Sequence, residues 1–86
     1  MSTSAKEFTV RVISPDERLW EGQAVSVSSE NSAGKFDILP QHANFVTIIK
    51  NTPIVVRTAT TGNKTLKYKN AVIVVNYNKV AIYAEL

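Results

Sequence analysis

Along most of this 86-residue chain apolar and polar side chains alternate with a period of two, and a chain patterned in that way forms strands. In "FTVRVIS", Phe8, Val10 and Val12 fall on one face while Thr9 and Arg11 fall on the other. "AVSVSSE" sets Val25 and Val27 against Ser26 and Ser28, "KFDIL" sets Phe36 and Ile38 against Lys35 and Asp37, and "TLKYK" sets Leu66 and Tyr68 against Lys67 and Lys69. No stretch of 11 or more residues keeps the i, i+3, i+4 apolar spacing of a helix face. Val, Ile and Thr supply 26 residues, and their branched Cβ atoms suit a pleated surface better than a helix. The expectation is an all-β fold.

Turn residues punctuate the pattern. Pro15-Asp16 ends the first strand; "RLWEG" is a short strand that breaks at Gly22; Glu30 to Gly34 is a polar loop; Pro40 closes "KFDIL". "FVTIIK" and "PIVVRTAT" follow, with Pro53 suited to a strand start or a sheet edge because it lacks an N–H. Gly62-Asn63 makes a hairpin turn, "AVIVVNY" is apolar throughout, as for a strand covered on both faces, and "VAIYAEL" comes last. Eight to ten short strands at this spacing predict a sandwich or small barrel. A chain this short makes one domain, residues 1–86, with residues 1–6 expected to be flexible. It buries about 60–65% of its unfolded surface, so a partner would add usefully to its stability.

The residue inventory excludes most chemistry. With no cysteine there is no disulfide framework and no thiolate metal site, and a single histidine, His42, falls short of the ligand sets zinc uses. No nucleophile elbow occurs, and Gly22, Gly34 and Gly62 stand in separate turns rather than in a phosphate-cradling loop. Asp16, Glu17 and Glu21 are solvated acids of one turn. The first residues carry no signal-peptide core, and "AVIVV", the longest apolar run, is far short of the ~20 residues of a spanning helix. Neither an enzyme nor a cofactor is expected.

Charge is divided unevenly. Residues 1–43 hold four Lys/Arg and six Asp/Glu, residues 44–86 six and one. A small β-barrel with a basic face binds single-stranded nucleic acid by stacking bases on aromatic rings, and Lys64, Lys67, Tyr68 and Lys69 are the residues for that alternative. Against it, Tyr68 shares the face of Leu66, the parity of a core side chain.

The ordered pattern F-x-V-x-V-I-S-P, then L-W-E-G, then S-A-G-K-F-D-I-L-P-Q-H-A-N-F-V-T-I-I, with "NAVIVVNYNKVAIY" near the end, resembles the N-terminal β-sandwich domain of the epsilon subunit of F-type ATP synthases, called delta in mitochondria. The resemblance implies a flattened sandwich of about ten short, mostly antiparallel strands in two five-stranded sheets. It implies a non-catalytic subunit at the foot of the central stalk that joins the gamma subunit to the membrane ring of c subunits. Such a subunit is peripheral on the cytoplasmic face of the bacterial inner membrane, or on the matrix or stroma side of an organelle.

Position by position, the resemblance assigns Glu30, Asn31, Ser32, Ala33, Gly34 and Lys35 to contact with the c ring, and Ser14, His42 and Thr47 to contact with gamma. His42 reads equally as a structural residue of its turn. The chain departs from the family where many members carry Gly-Gly, here within Lys69-Asn70-Ala71, and it lacks the C-terminal helical hairpin, so the inhibitory and ATP-binding roles of that hairpin are not implied.

Overall fold

The computed structural model describes residues 7–41 and 43–85. His42, and the residues 1–6 expected to be flexible, lie outside the described residues. Among the described residues nine strands form: β1 (Phe8–Ile13), β2 (Arg18–Ala24), β3 (Ser26–Asn31), β4 (Gly34–Ile38), β5 (Phe45–Lys50), β6 (Ile54–Arg57), β7 (Asn63–Leu66), β8 (Asn70–Asn76) and β9 (Lys79–Ala84). They build a five-stranded sheet in the order β2-β1-β9-β8-β5 and a four-stranded sheet in the order β4-β3-β6-β7. All neighbours are antiparallel except β1 and β9, which run parallel. The all-β two-sheet architecture is the one expected; among the described residues the sheets have five and four strands, where about ten strands in two five-stranded sheets were expected. After β4, Pro40 cannot donate to a ladder and Gln41 takes φ 62°.

The core is the set of inward positions that the period of two selects. Phe8, Val10 and Val12 of β1, Ile73 and Val75 of β8, and Val80 and Ile82 of β9 meet Val27, Ile38, Ile54 and Val56 of the facing sheet. Principal extents of 40 × 28 × 21 Å describe a flattened body whose thin dimension is two sheets deep.

Two local readings are corrected. Gly22 does not break its strand: it pairs with Val10 inside β2, and the chain bends instead at Val25, where it leaves one sheet for the other. Glycine stands there because the Trp20 ring lies across it; a Cβ at position 22 would sit 2.7 Å and 2.9 Å from two ring carbons. Tyr68, predicted in a strand, follows the end of β7 and packs beside the core while Lys67 and Lys69 stay exposed.

The sandwich is closed at both edges. On one side Phe36 of β4 meets Phe45 of β5 edge-on, with ring centroids 5.6 Å apart and planes at 65°. On the other, Lys64 of β7 places Nζ 5.6 Å from the Trp20 ring of β2.

Candidate interaction surfaces

The β3–β4 hairpin turns through Ser32 and Ala33 alone, because Asn31 pairs with Gly34 and Glu30 with Lys35. Gly34 takes φ 126°, a conformation other residues rarely adopt. Asn31 holds the turn: its Oδ1 accepts from the Ala33 N–H at 2.9 Å, and its Nδ2 donates to Thr47 Oγ1 at 2.8 Å. Its amide is therefore committed within the protein in both senses. Of the six residues assigned to ring contact, Glu30, Ser32, Ala33 and Lys35 are exposed, all at one end of the molecule.

Beside this turn lies an open cleft of about 600 Å³, lined by Glu30, Asn31 and Ser32 from one sheet and by Ile48, Lys50 and Thr52 from β5 and the residues after it. Two bonds fix its shape: Ser29 Oγ donates to the Pro53 carbonyl at 2.9 Å, and Thr52 Oγ1 donates to the Lys50 carbonyl at 2.9 Å. Lys50 and Thr52 had no special place in the sequence reading. They are distant from Glu30 in the chain and meet it only through the stacking of the sheets.

The residues assigned to gamma contact are spread out. Ser14 closes the turn after β1: its N–H donates to the Glu17 carbonyl at 2.8 Å, and its hydroxyl lies 3.2 Å from both the carbonyl and the N–H of Glu17. Thr47 faces inward and is only 9% exposed. Three strand spacings separate β1 from β5, about 14 Å at ~4.8 Å each, so Ser14 and Thr47 do not meet. The loop that carries His42 is pinned at both ends to the β8–β9 turn, with Gln41 N–H donating to Asn78 Oδ1 at 2.8 Å and Tyr77 N–H to Asn44 Oδ1 at 3.0 Å.

The outer faces of the two sheets differ in kind. On the five-stranded sheet Val46 is 66% and Ile48 58% exposed; the register sets them beside Val74 and Val72 of β8, and these beside Ala81 and Tyr83 of β9. "AVIVVNY" is thus covered by the core on one face only, and Val72 and Val74 are half-exposed. Beyond β9 the same face turns charged, with Glu21 placed 2.8 Å from Arg18 and 3.7 Å from Arg11. The outer face of the four-stranded sheet is polar: Arg57 Nη1 donates to Ser28 Oγ at 2.6 Å and to Ser26 Oγ at 3.3 Å, and Ser28 Oγ donates to Asp37 Oδ1. One signal of the apolar face was present in "FVTIIK", where Thr47, set between apolar residues, has the inward parity and the valine and isoleucine beside it the outward one.

The basic alternative loses its stacking group. Tyr68 lies against the core, and burial, followed by the nearby charge of Glu85, pushes its phenol above the usual range. Lys64 is engaged with Trp20 at the edge of the sandwich. Among the described residues there is no group of three or more His, Cys, Asp or Glu side chains placed to hold a metal ion, and no helix long and apolar enough to cross a membrane.

These features define a β-sandwich module with an apolar outer face and a polar cleft at one end. Residues 7–86 match the family model described as ATP synthase, Delta/Epsilon chain, beta-sandwich domain, and the chain belongs to that family. It is 30% identical over 78 residues to the ATP synthase epsilon chain of Micrococcus luteus, covering 91% of this chain and 86% of that one. With the epsilon chain of Brevibacillus brevis it shares 35% over 81 residues, 92% of this chain and 60% of the relative. The fold matches a chain in the Tetrahymena thermophila mitochondrial ATP synthase central stalk/c-ring structure at TM-score 0.77 and 10% identity, covering 98% of this chain and 67% of that one. It matches one in the Euglena gracilis mitochondrial ATP synthase OSCP/F1/c-ring structure at TM-score 0.84 and 13% identity, covering 96% and 53%. The chain thus spans between 53% and 86% of the length of these four proteins.

Proposed function

We propose that this chain is a non-catalytic rotor subunit of an F-type ATP synthase that couples the membrane c ring to the gamma subunit, works without a cofactor of its own, and sits peripherally at the membrane through the ring. The observation that carries this reading is the inequality of the two outer faces. A small domain that leaves Val46, Ile48, Val72, Val74 and Tyr83 together on one sheet while its other sheet is polar has the surface of a subunit that is buried on one side in an assembly. Gamma occupies that apolar face, and Ser14, His42 and Thr47 are the residues that the family resemblance adds to its contact. The ring meets the end that carries Glu30, Ser32, Ala33 and Lys35.

Torque passed from ring to stalk loads the domain in shear, and a two-sheet body resists shear only if its sheets cannot slide. Cross-sheet contacts at both edges, Phe36 with Phe45 and Trp20 with Lys64, together with the Asn31–Thr47 bond at one end, oppose that sliding. The interdigitated core does the rest.

Co-purification with the gamma subunit of the same organism tests the reading. Wild-type chain should retain gamma through size exclusion, and the pair Val46→Asp and Ile48→Asp should lose it while melting within about 3 °C of wild type, since both positions are exposed. A wild-type chain that fails to bind gamma, or that turns over a substrate, would overturn the proposal.

A further inference from the structure

The outer face of the five-stranded sheet has a dip in its middle. Along β9 the outward side chains are Lys79, Ala81 and Tyr83, and the register sets Ala81 between Val74 of β8 and Arg11 of β1. A methyl group ringed by four larger side chains leaves an open groove of about 450 Å³, and all five residues line it. Val74 and Tyr83 make two of its sides apolar; Arg11 and Lys79 make the other two cationic. Neither cation is used up within the chain. Glu21 Oε1 lies 2.8 Å from Arg18 Nη1 but 3.7 Å from Arg11 Nε, so its charge goes chiefly to Arg18. Lys79 is exposed and makes no ion pair among the described residues.

The charge of the whole face selects what covers it. Its outward strand positions carry Arg11, Arg18, Lys50 and Lys79 against one carboxylate, Glu21. A second copy docked there would set cation against cation. A flat anionic bilayer would neutralise the charge but leave the dip unfilled. A protein surface that offers an apolar side chain next to an acid does both, and by excluding water from the groove it strengthens the ion pairs. The groove is continuous with the apolar strip, since Val74 pairs with Val46 on one side and Ala81 on the other, so one partner covers both.

We infer that gamma binds this face by seating an apolar side chain on Ala81, between Val74 and Tyr83, with a neighbouring carboxylate bridging Arg11 and Lys79. This rests on the reading that gamma covers the apolar face, and it adds the chemistry by which gamma is selected.

Binding of purified gamma from the same organism to the immobilised chain decides the matter at ~0.1 M salt. Arg11→Glu and Lys79→Glu should each weaken association at least tenfold, and Ala81→Leu, which fills the dip, by a similar factor. Lys67→Glu, an equal charge change at an exposed position outside this face, should change it less than twofold. Raising the salt to ~0.5 M should shrink the effect of the two charge reversals and leave that of Ala81→Leu in place. The inference is overturned if both charge reversals bind gamma within twofold of wild type while Val46→Asp with Ile48→Asp abolishes binding, an outcome that keeps gamma on the face and removes it from the groove. Wild-type chain that ignores gamma, and instead self-associates in sedimentation equilibrium or adsorbs on phosphatidylglycerol vesicles, overturns the coupling role and the inference together.

Discussion

Asn31 Nδ2 donates a 2.8 Å hydrogen bond to Thr47 Oγ1, joining the last residue of β3 in the four-stranded sheet to the edge strand of the five-stranded sheet. Thr47 is buried, paired in register with the fully buried Ile73, and Asn31 is half-buried. A polar pair placed there satisfies its own groups and stitches one sheet to the other. Replacing Asn31 by Ala or Thr47 by Val should each cost about 1 kcal/mol, with a coupling energy of about 0.5–1.5 kcal/mol in a double-mutant cycle. Urea titration of the four proteins measures it, and strictly additive effects would show that the bond does not hold the sheets together.

Gly22 and Trp20 form a second coupled pair. Gly22→Ala drives a methyl group against the indole and should destabilise by about 1–3 kcal/mol. In a Trp20→Leu background the same change should cost less than about 0.5 kcal/mol, because alanine is otherwise better than glycine in a strand. Thermal melts of the pairs check this; an equal cost in both backgrounds would mean that backbone conformation, not the ring, requires the glycine.

Ile73 and Val46 test the assignment of faces. Ile73 is fully buried, so Ile73→Ala should lose about 2–5 kcal/mol. Val46→Ala, on the outer face and 66% exposed, should stay within about 0.5 kcal/mol. Chemical denaturation distinguishes them, and comparable losses would require Val46 to be covered in the isolated chain.

The partly buried Tyr68 phenol gives stability a specific alkaline dependence. Burial, then the charge of Glu85, raise its folded-state pKa above the ordinary value of 10.0, so the folded protein holds the proton more tightly than the unfolded chain. The resulting stability is complete below pH 10 and is lost as pH climbs from there through the raised folded-state value. Tyr68→Phe, which cannot ionise, should show a flatter fall in melting temperature above pH 10 than wild type does. Superimposable profiles would place the phenol in water.

The period of two in "FTVRVIS" and "KFDIL" was sufficient to assign the buried faces of β1 and β4, because on a strand that crosses a core the alternation leaves little choice. Its limits show at "AVIVVNY", where both faces are apolar and the local pattern is silent on which one meets the core. The parallel pairing of β1 with β9, almost the length of the chain apart, fixes the sheet order that turns Val72 and Val74 outward. At Gly22 a local rule was overridden by an aromatic ring two residues away, visible only once both residues sat on the same face. The β3–β4 turn was legible as a polar loop, while its partner wall, Ile48 to Thr52, was not, since its role depends on how one sheet lies over the other.

By itself the sequence determined the strand content, the identity of most core side chains and the absence of thiolate chemistry, all of which follow from residue type and spacing along one chain. The tertiary structure decided which apolar face is left open, that Thr47 turns inward to Asn31, and that Glu30 and Lys50 share a cleft. Alternation is a property of a strand, but exposure is a property of what is stacked against it, and that is fixed only when distant segments take their register.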